Sequence, residues 1–125
     1  MQVNPPQKNS NKELAAIGER LAAENLESQG FSIIARNFRL RLGEIDLIGW
    51  EGETLVFVEV KCRKSRRFGY GGEAITLQKQ RKIIQTAQAF LSRFPQLPPC
   101  RFDAVIVDLS GTDPLIEHLK DAFRT

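Results

Sequence analysis

Histidine and cysteine are scarce in this 125-residue chain, which has one histidine, His118, and two cysteines, Cys62 and Cys100. With no CxxC pair and no histidine cluster, the nitrogen and sulfur ligands of a zinc site are missing. A disulfide is excluded on distance. If the last core strand runs parallel to the strand at 54–62, Cys62 ends one and Cys100 precedes the other. That separates them by on the order of 20 Å at ~3.3 Å per residue, too far for a bridge. No apolar run reaches membrane length, and no basic amphipathic helix suits a lipid surface. The first ten residues are polar and proline-containing, unlike a signal peptide, so the expectation is a reduced, cytoplasmic protein. Internal repeats and low-complexity segments are absent too.

A hydrophobic fraction of 42% against a charged fraction of 26% is that of an ordinary folded chain. The length suits one domain, with residues 1–10 as a flexible tail and 11–125 as the folded unit. Net charge is only +3, yet the cations are clustered. Arg36, Arg39 and Arg41 lie together, and Arg63, Lys64, Arg66 and Arg67 follow Lys61. Such clusters suit a phosphate backbone, against the plainer reading of a solvated basic loop.

Two apolar, β-rich runs at 44–50 and 54–61 flank Glu51-Gly52-Glu53, which has the make-up of a hairpin turn. Folding about that turn sets Asp46 opposite Glu59, with opposed Cβ atoms roughly 4.5 to 5.5 Å apart. Period-two alternation puts Lys61 on the face of Glu59, while Val58 and Val60 point the other way. Two carboxylates at that distance raise each other's energy unless a cation lies between them, and hard divalent ions such as Mg2+ or Mn2+ take oxygen ligands. The competing reading is a solvated sheet face on which Asp46 pairs with Lys61. Leu47, Phe57, Val58 and Val60 leave little sign of a polar face, and charges set among apolar residues point to a site.

Ser10 to Glu13 matches a capping box opening a helix over 12–29, whose stripe is Leu14, Ile17, Leu21 and the alanines between them. A mid-helix glycine, Gly18, costs about 1 kcal/mol relative to alanine, and close packing on the sheet is a reason for it. Glu19 borders the stripe. A first strand is predicted at 31–42, completing an antiparallel meander with the hairpin. The glycine-rich stretch 68–72 reads as a flap over the site or a plain connector. Thr76 caps a second helix reaching to about Phe94, with Lys79 and Arg81 near its positive dipole end. A buried strand at 102–108 follows by a helical crossover, parallel to the strand at 54–62. Asp103, near its beginning, reads as structural, and 115–123 as a short closing strand or a tail.

Asp46, followed at Glu59-Val60-Lys61 by an acid, an apolar residue and a lysine, resembles the PD-(D/E)xK motif of restriction-endonuclease-like nucleases and archaeal-type Holliday junction resolvases. GER at 18–20, NFR at 37–39, GEIDLI at 43–48, FVEVK at 57–61 and RFG at 67–69 resemble more closely the YraN family of small bacterial proteins, placed in that superfamily without an established activity. The likeness spans roughly residues 12–123. The motif's proline is replaced by Ile45, at a position that is lax in these nucleases.

The resemblance implies an α/β fold with a restriction-endonuclease-like αβββαβ core, a mixed sheet flanked by helices. It implies Mg2+ or Mn2+ held by Asp46, Glu59, the Val60 carbonyl and Glu19, with Lys61 positioning water or stabilising charge on phosphorus. Asp46, Glu59, Lys61 and Glu19 are then the catalytic set, and the reaction is phosphodiester hydrolysis, structured or branched DNA among its substrates. Nucleic acid, DNA ahead of RNA, is the expected partner, through Arg39, Arg63, Lys64, Arg66, Arg67, Lys79 and Arg81. Resolvase-like relatives are dimers, so a homodimer is also implied, although no apolar stripe is surplus to the core. The rival functions are a binding module of the same fold without turnover and a protein-interaction scaffold, which would show no salt-dependent nucleic-acid binding.

Overall fold

Helical spacing of small residues and period-two alternation of apolar ones are both realised in the computed structural model, which describes residues 11–64 and 75–124. The expected N-terminal tail with its Ser10 cap, Arg66, Arg67 and the proposed flap at 68–72 lie outside the described residues. Seven elements follow one another: α1 (Asn11–Ser28), β1 (Ser32–Leu40), β2 (Gly43–Glu51), β3 (Thr54–Arg63), α2 (Leu77–Leu91), β4 (Cys100–Asp108) and β5 (Leu115–Phe123). Helix, three strands, helix, strand is the predicted order, and the closing segment is a strand, not a tail. The sheet runs β1-β2-β3-β4-β5, antiparallel throughout except for the parallel β3–β4 pair that the α2 crossover requires.

Alternation along β3 divides the apolar residues between two helices. Val56 and Val58 join Leu47, Val105 and Val107 beneath Ala22, Ala23 and Leu26 of α1. Leu55 and Phe57 join Ile48, Phe102 and Phe123 beneath Ile83, Ala87 and Phe90 of α2. On the α2 side Phe57 stacks on Phe102 at 5.5 Å and Phe102 on Phe123 at 4.9 Å, carrying the core across to β5. Such ring pairs are worth about 0.5 to 1.5 kcal/mol each beyond their buried area.

The buried stripe of α1 is not centred where the large residues are. Gly18, Ala22, Ala23 and Leu26 are buried, while Leu14, Ile17 and Leu21 flank them half-buried. Small side chains let the helix sit close to the sheet, and a Cβ on Gly18 would lie 2.8 Å from Cys62 Cβ. Close packing is therefore the reason for this glycine, and it turns Glu19 toward the end of β3. At α2, Thr76 accepts the Lys79 amide at 3.1 Å as expected of a cap. The helix ends at Leu91, short of the predicted Phe94, because the residue before Pro95 is disfavoured in the helical region. Cys62 and Cys100 are both free, seven register positions apart on the β3–β4 pair. Among the described residues no helix is long and apolar enough to cross a membrane.

Candidate functional site

The β2–β3 ladder runs from Glu51–Thr54 up to Leu47–Val58 and stops. Beyond that point β2 stays with β1, through Ile45–Phe38 and Glu44–Arg39, while β3 stays with β4 as far as Arg63–Asp108. The two middle strands of the hairpin thus fork, and Asp46 and Glu59 are the next pair in register, standing at the fork. The break shows in the side chains as well: Leu47 packs under α1, whereas Ile45, two residues earlier, packs under α2. Simple alternation would put both on one face. Opposite Asp46, between the Arg36–Leu47 and Phe38–Ile45 pairs, Asn37 has φ +52°, a left-handed kink in β1 at the same level.

Asp46 and Glu59 are 9% and 7% exposed. The Val60 amide, past the last ladder pair, donates to Asp46 Oδ2 at 2.7 Å. Lys79 Nζ, from the first turn of α2, lies 3.5 Å from Glu59 Oε1. A cavity of about 380 Å3 opens at the fork, walled by Asp46, Glu59, Val60 and Lys61 from the hairpin, Glu19 from α1 and Lys79 from α2. Arg39 and Glu44, paired at 3.1 Å and largely exposed, stand at its rim.

Burial, then the hydrogen bond and like charge of Glu59, push the Asp46 carboxyl up to about 8, against the pull of the Val60 amide and Lys79. Glu19 is raised by burial and by the charges of Asp46 and Glu44, with the Asn37 side chain and Arg39 opposing. Lys61 is lowered by burial and by the like charge of Lys79, with Glu59 and Asp46 opposing. Two carboxyl groups buried this close raise each other's energy when both are ionised.

The predicted residues divide by location. Asp46, Glu59, Val60, Lys61 and Glu19 share the cavity. Glu19, however, lines the wall without completing a cluster: among the described residues no three Asp, Glu, His or Cys side chains converge as a metal site. Of the predicted nucleic-acid contacts, Arg39 and Lys79 reach the cavity, and Lys64 and Arg81 are exposed elsewhere on the surface. Arg63 is half-buried and 3.3 Å from Asp108, an ion pair that ties β3 to β4. The ion pair of Lys79 with Glu59 was not foreseen; its only signal in the sequence was position at the start of a helix.

A second buried acid, Asp103, sits near the start of β4. It accepts Arg101 Nε and Nη2 at 2.8 and 2.9 Å, His118 Nε2 at 2.8 Å and the Asp121 amide at 3.0 Å. Burial alone would raise it, but the donors from Arg101, Asp121 and His118 outweigh burial and hold its carboxyl below the usual range. A hollow of about 560 Å3 nearby, bordered by Cys100, Arg101 and Arg124, is larger than the one at the fork. Its cations are committed, Arg101 to Asp103 and Glu51 and Arg124 to Asp121.

Residues 18–107, which include every acid and lysine of the fork cavity, match the model of the uncharacterised protein family UPF0102. A UPF0102 protein of Chlorobium chlorochromatii is 46% identical, with 97% of each chain covered. One from Symbiobacterium thermophilum is 51% identical over 78% of this chain and 83% of its own. Another, from Geobacter metallireducens, is 46% identical over 91% and 94%.

Proposed function

The chain belongs to the uncharacterised protein family UPF0102, and from that premise we propose that it is a metal-dependent nuclease with its active site at the β2–β3 fork. The observation that carries the reading is the Asp46–Glu59 pair, buried side by side with Asp46 pushed up to about 8 and Lys61 on the same wall. A structural acid pair gains nothing from this arrangement, whereas a cation site needs it. The order of elements and the Asp46, Glu59-Val60-Lys61 pattern, which resemble the restriction-endonuclease-like superfamily, support the same reading.

The residues fit a hard divalent ion. Asp46 and Glu59 supply carboxylate oxygens and the Val60 carbonyl a third, while Mg2+ commonly keeps several waters and needs only one or two protein carboxylates beside substrate phosphate. When bound there, Mg2+ or Mn2+ supplies Lewis-acid polarisation of a phosphoryl oxygen and a water of lowered pKa. The chain's own residues do the rest. The Val60 amide fixes the rotamer of Asp46. Lys61 orients the attacking water or stabilises charge growing on the phosphate, helped by its reduced hold on its own proton. Glu19 orders solvent on the far wall. Arg39 and Lys79 meet the phosphates beside the scissile one.

The test is incubation of purified protein with Mg2+ or Mn2+ and a panel of junction, flap, single-stranded and duplex substrates. Cleavage is expected, and Asp46→Ala and Lys61→Ala each abolish it with an unchanged circular dichroism spectrum. Activity that survives both changes overturns the reading. Salt-dependent binding without cleavage by the unaltered protein identifies a binding module of the same architecture.

A further inference from the structure

Lys79 has a place at the fork that a surface lysine does not need. Its backbone amide is engaged by the Thr76 cap, so the side chain is free of any helical duty, and it is 44% exposed. The ammonium nevertheless leans 3.5 Å from Glu59 Oε1, whose carboxylate is 7% exposed. That distance is an ion pair without a tight hydrogen bond, the geometry of a partner that can leave. Lys79 also lines a second cavity of about 350 Å3, shared with Thr76, Gln78 and Lys82 and bordering the first at Glu44. The ammonium therefore has an adjoining space to enter. Lys61, in contrast, rises from a central strand whose backbone is paired with Ile106 of β4.

We propose that Lys79 is the resident counter-ion of the Asp46–Glu59 pair, and that a divalent cation entering the fork displaces it into the adjoining cavity. The inference rests on the reading of the fork as a cation site. Two acids cannot stay buried together uncompensated, and a lysine on a flexible four-carbon stem is a movable compensation. Once a doubly charged ion takes its place, attraction to the acids becomes repulsion from the ion. Lys61 already feels the like charge of Lys79 before any ion arrives. The displaced ammonium is then free to meet a phosphate of the substrate, so the same side chain guards the acids before cation entry and serves the substrate after it.

Calorimetric titration of metal-free protein with Mn2+, no nucleic acid present, tests this. Lys79→Gln removes the competing charge and tightens Mn2+ by roughly fivefold, the upper end of what a half-exposed ion pair is worth. Lys79→Arg, which keeps the charge, restores the weaker wild-type affinity. Arg81→Gln makes the same change in net charge on α2, at an exposed residue that lines neither cavity, and leaves Mn2+ affinity within error of wild type. Equal tightening in the Lys79→Gln and Arg81→Gln proteins would reduce the effect to overall charge and overturn the proposal, as would unchanged or weaker binding in Lys79→Gln. Absence of saturable Mn2+ binding in both the wild type and Lys79→Gln overturns the cation site itself, a different failure that the same titration identifies.

Discussion

Asp46 and Asp103 are buried aspartates of one sheet, 9% and 0% exposed, and their carboxyl groups have moved in opposite directions from the ordinary value. The deeper one is the more acidic. Asp103 receives Arg101, His118 and the Asp121 amide, enough donors to hold a full negative charge without water. Asp46 receives one backbone amide and faces a second carboxylate. Burial is thus not what sets the two carboxyl groups apart. The supply of donors does, and it is complete at one end of the sheet and short at the other.

Removing each acid should break the comparison most forcefully. Asp103→Ala removes the acceptor shared by Arg101, His118 and the Asp121 amide, leaving Arg101 only Glu51 and His118 only Gln29, and a loss of about 2 kcal/mol in urea unfolding at neutral pH is expected for the broken buried network. Asp46→Asn has the opposite sign in metal-free protein. The amide still accepts from Val60 while the like charge toward Glu59 disappears, so stability at pH 8 rises by on the order of 1–2 kcal/mol. A fall would mean that Asp46 is braced as Asp103 is.

The two acids should also divide the pH profile. Asp46 folds with its affinity for protons raised, so between its ordinary value of 3.8 and about 8 the native state binds more protons than the unfolded state. With EDTA present, stability therefore declines as pH rises through that window. Asp103 is lowered, so its contribution is in place above 3.8 and is lost as pH falls through the still lower native value. Urea midpoints measured from pH 3 to pH 8 should peak on the acid side of neutrality. Asp46→Asn or saturating Mg2+ flattens the upper slope and leaves the acid limb alone.

A smaller change sharpens the contrast in position. Gly18→Ala sets a methyl against Cys62 Cβ, costing about 1–3 kcal/mol of overpacking less about 1 kcal/mol of gained helix propensity. A net loss of about 1 kcal/mol is expected. Amide shifts should move around Glu19 and Lys61 while the His118 ring, hydrogen-bonded to Gln29 beyond the C-terminal end of α1, keeps its resonances.

The hairpin was legible because its evidence is local. Gly52 at φ +59° turns the chain within two residues, and counting outward from it sets Asp46 against Glu59 with no knowledge of the rest of the fold. The parallel β3–β4 pair was legible from the helix that intervenes between its strands. Less could be read of α1, where the stripe was expected on Leu14, Ile17, Leu21 and the alanines between them and the buried centre is Gly18, Ala22, Ala23 and Leu26, because propensity and periodicity do not report how closely a helix approaches a sheet. Asp103 could be judged structural from its place on β4, but not its partners, since Arg101, His118 and Asp121 meet only through the β4–β5 pairing.

Residue order alone determined the elements, their succession and the opposition of two acids across a turn, for these follow from alternation and turn chemistry within some twenty residues. The fork was decided by tertiary structure. Whether β2 and β3 stay zipped depends on the paths that β1 and β4 impose on them from their other edges, which no local pattern encodes. Where the two strands part at Asp46, the Val60 amide turns to a carboxylate, and the packing of the two helices brings Glu19 and Lys79, sixty positions apart in the chain, to one cavity.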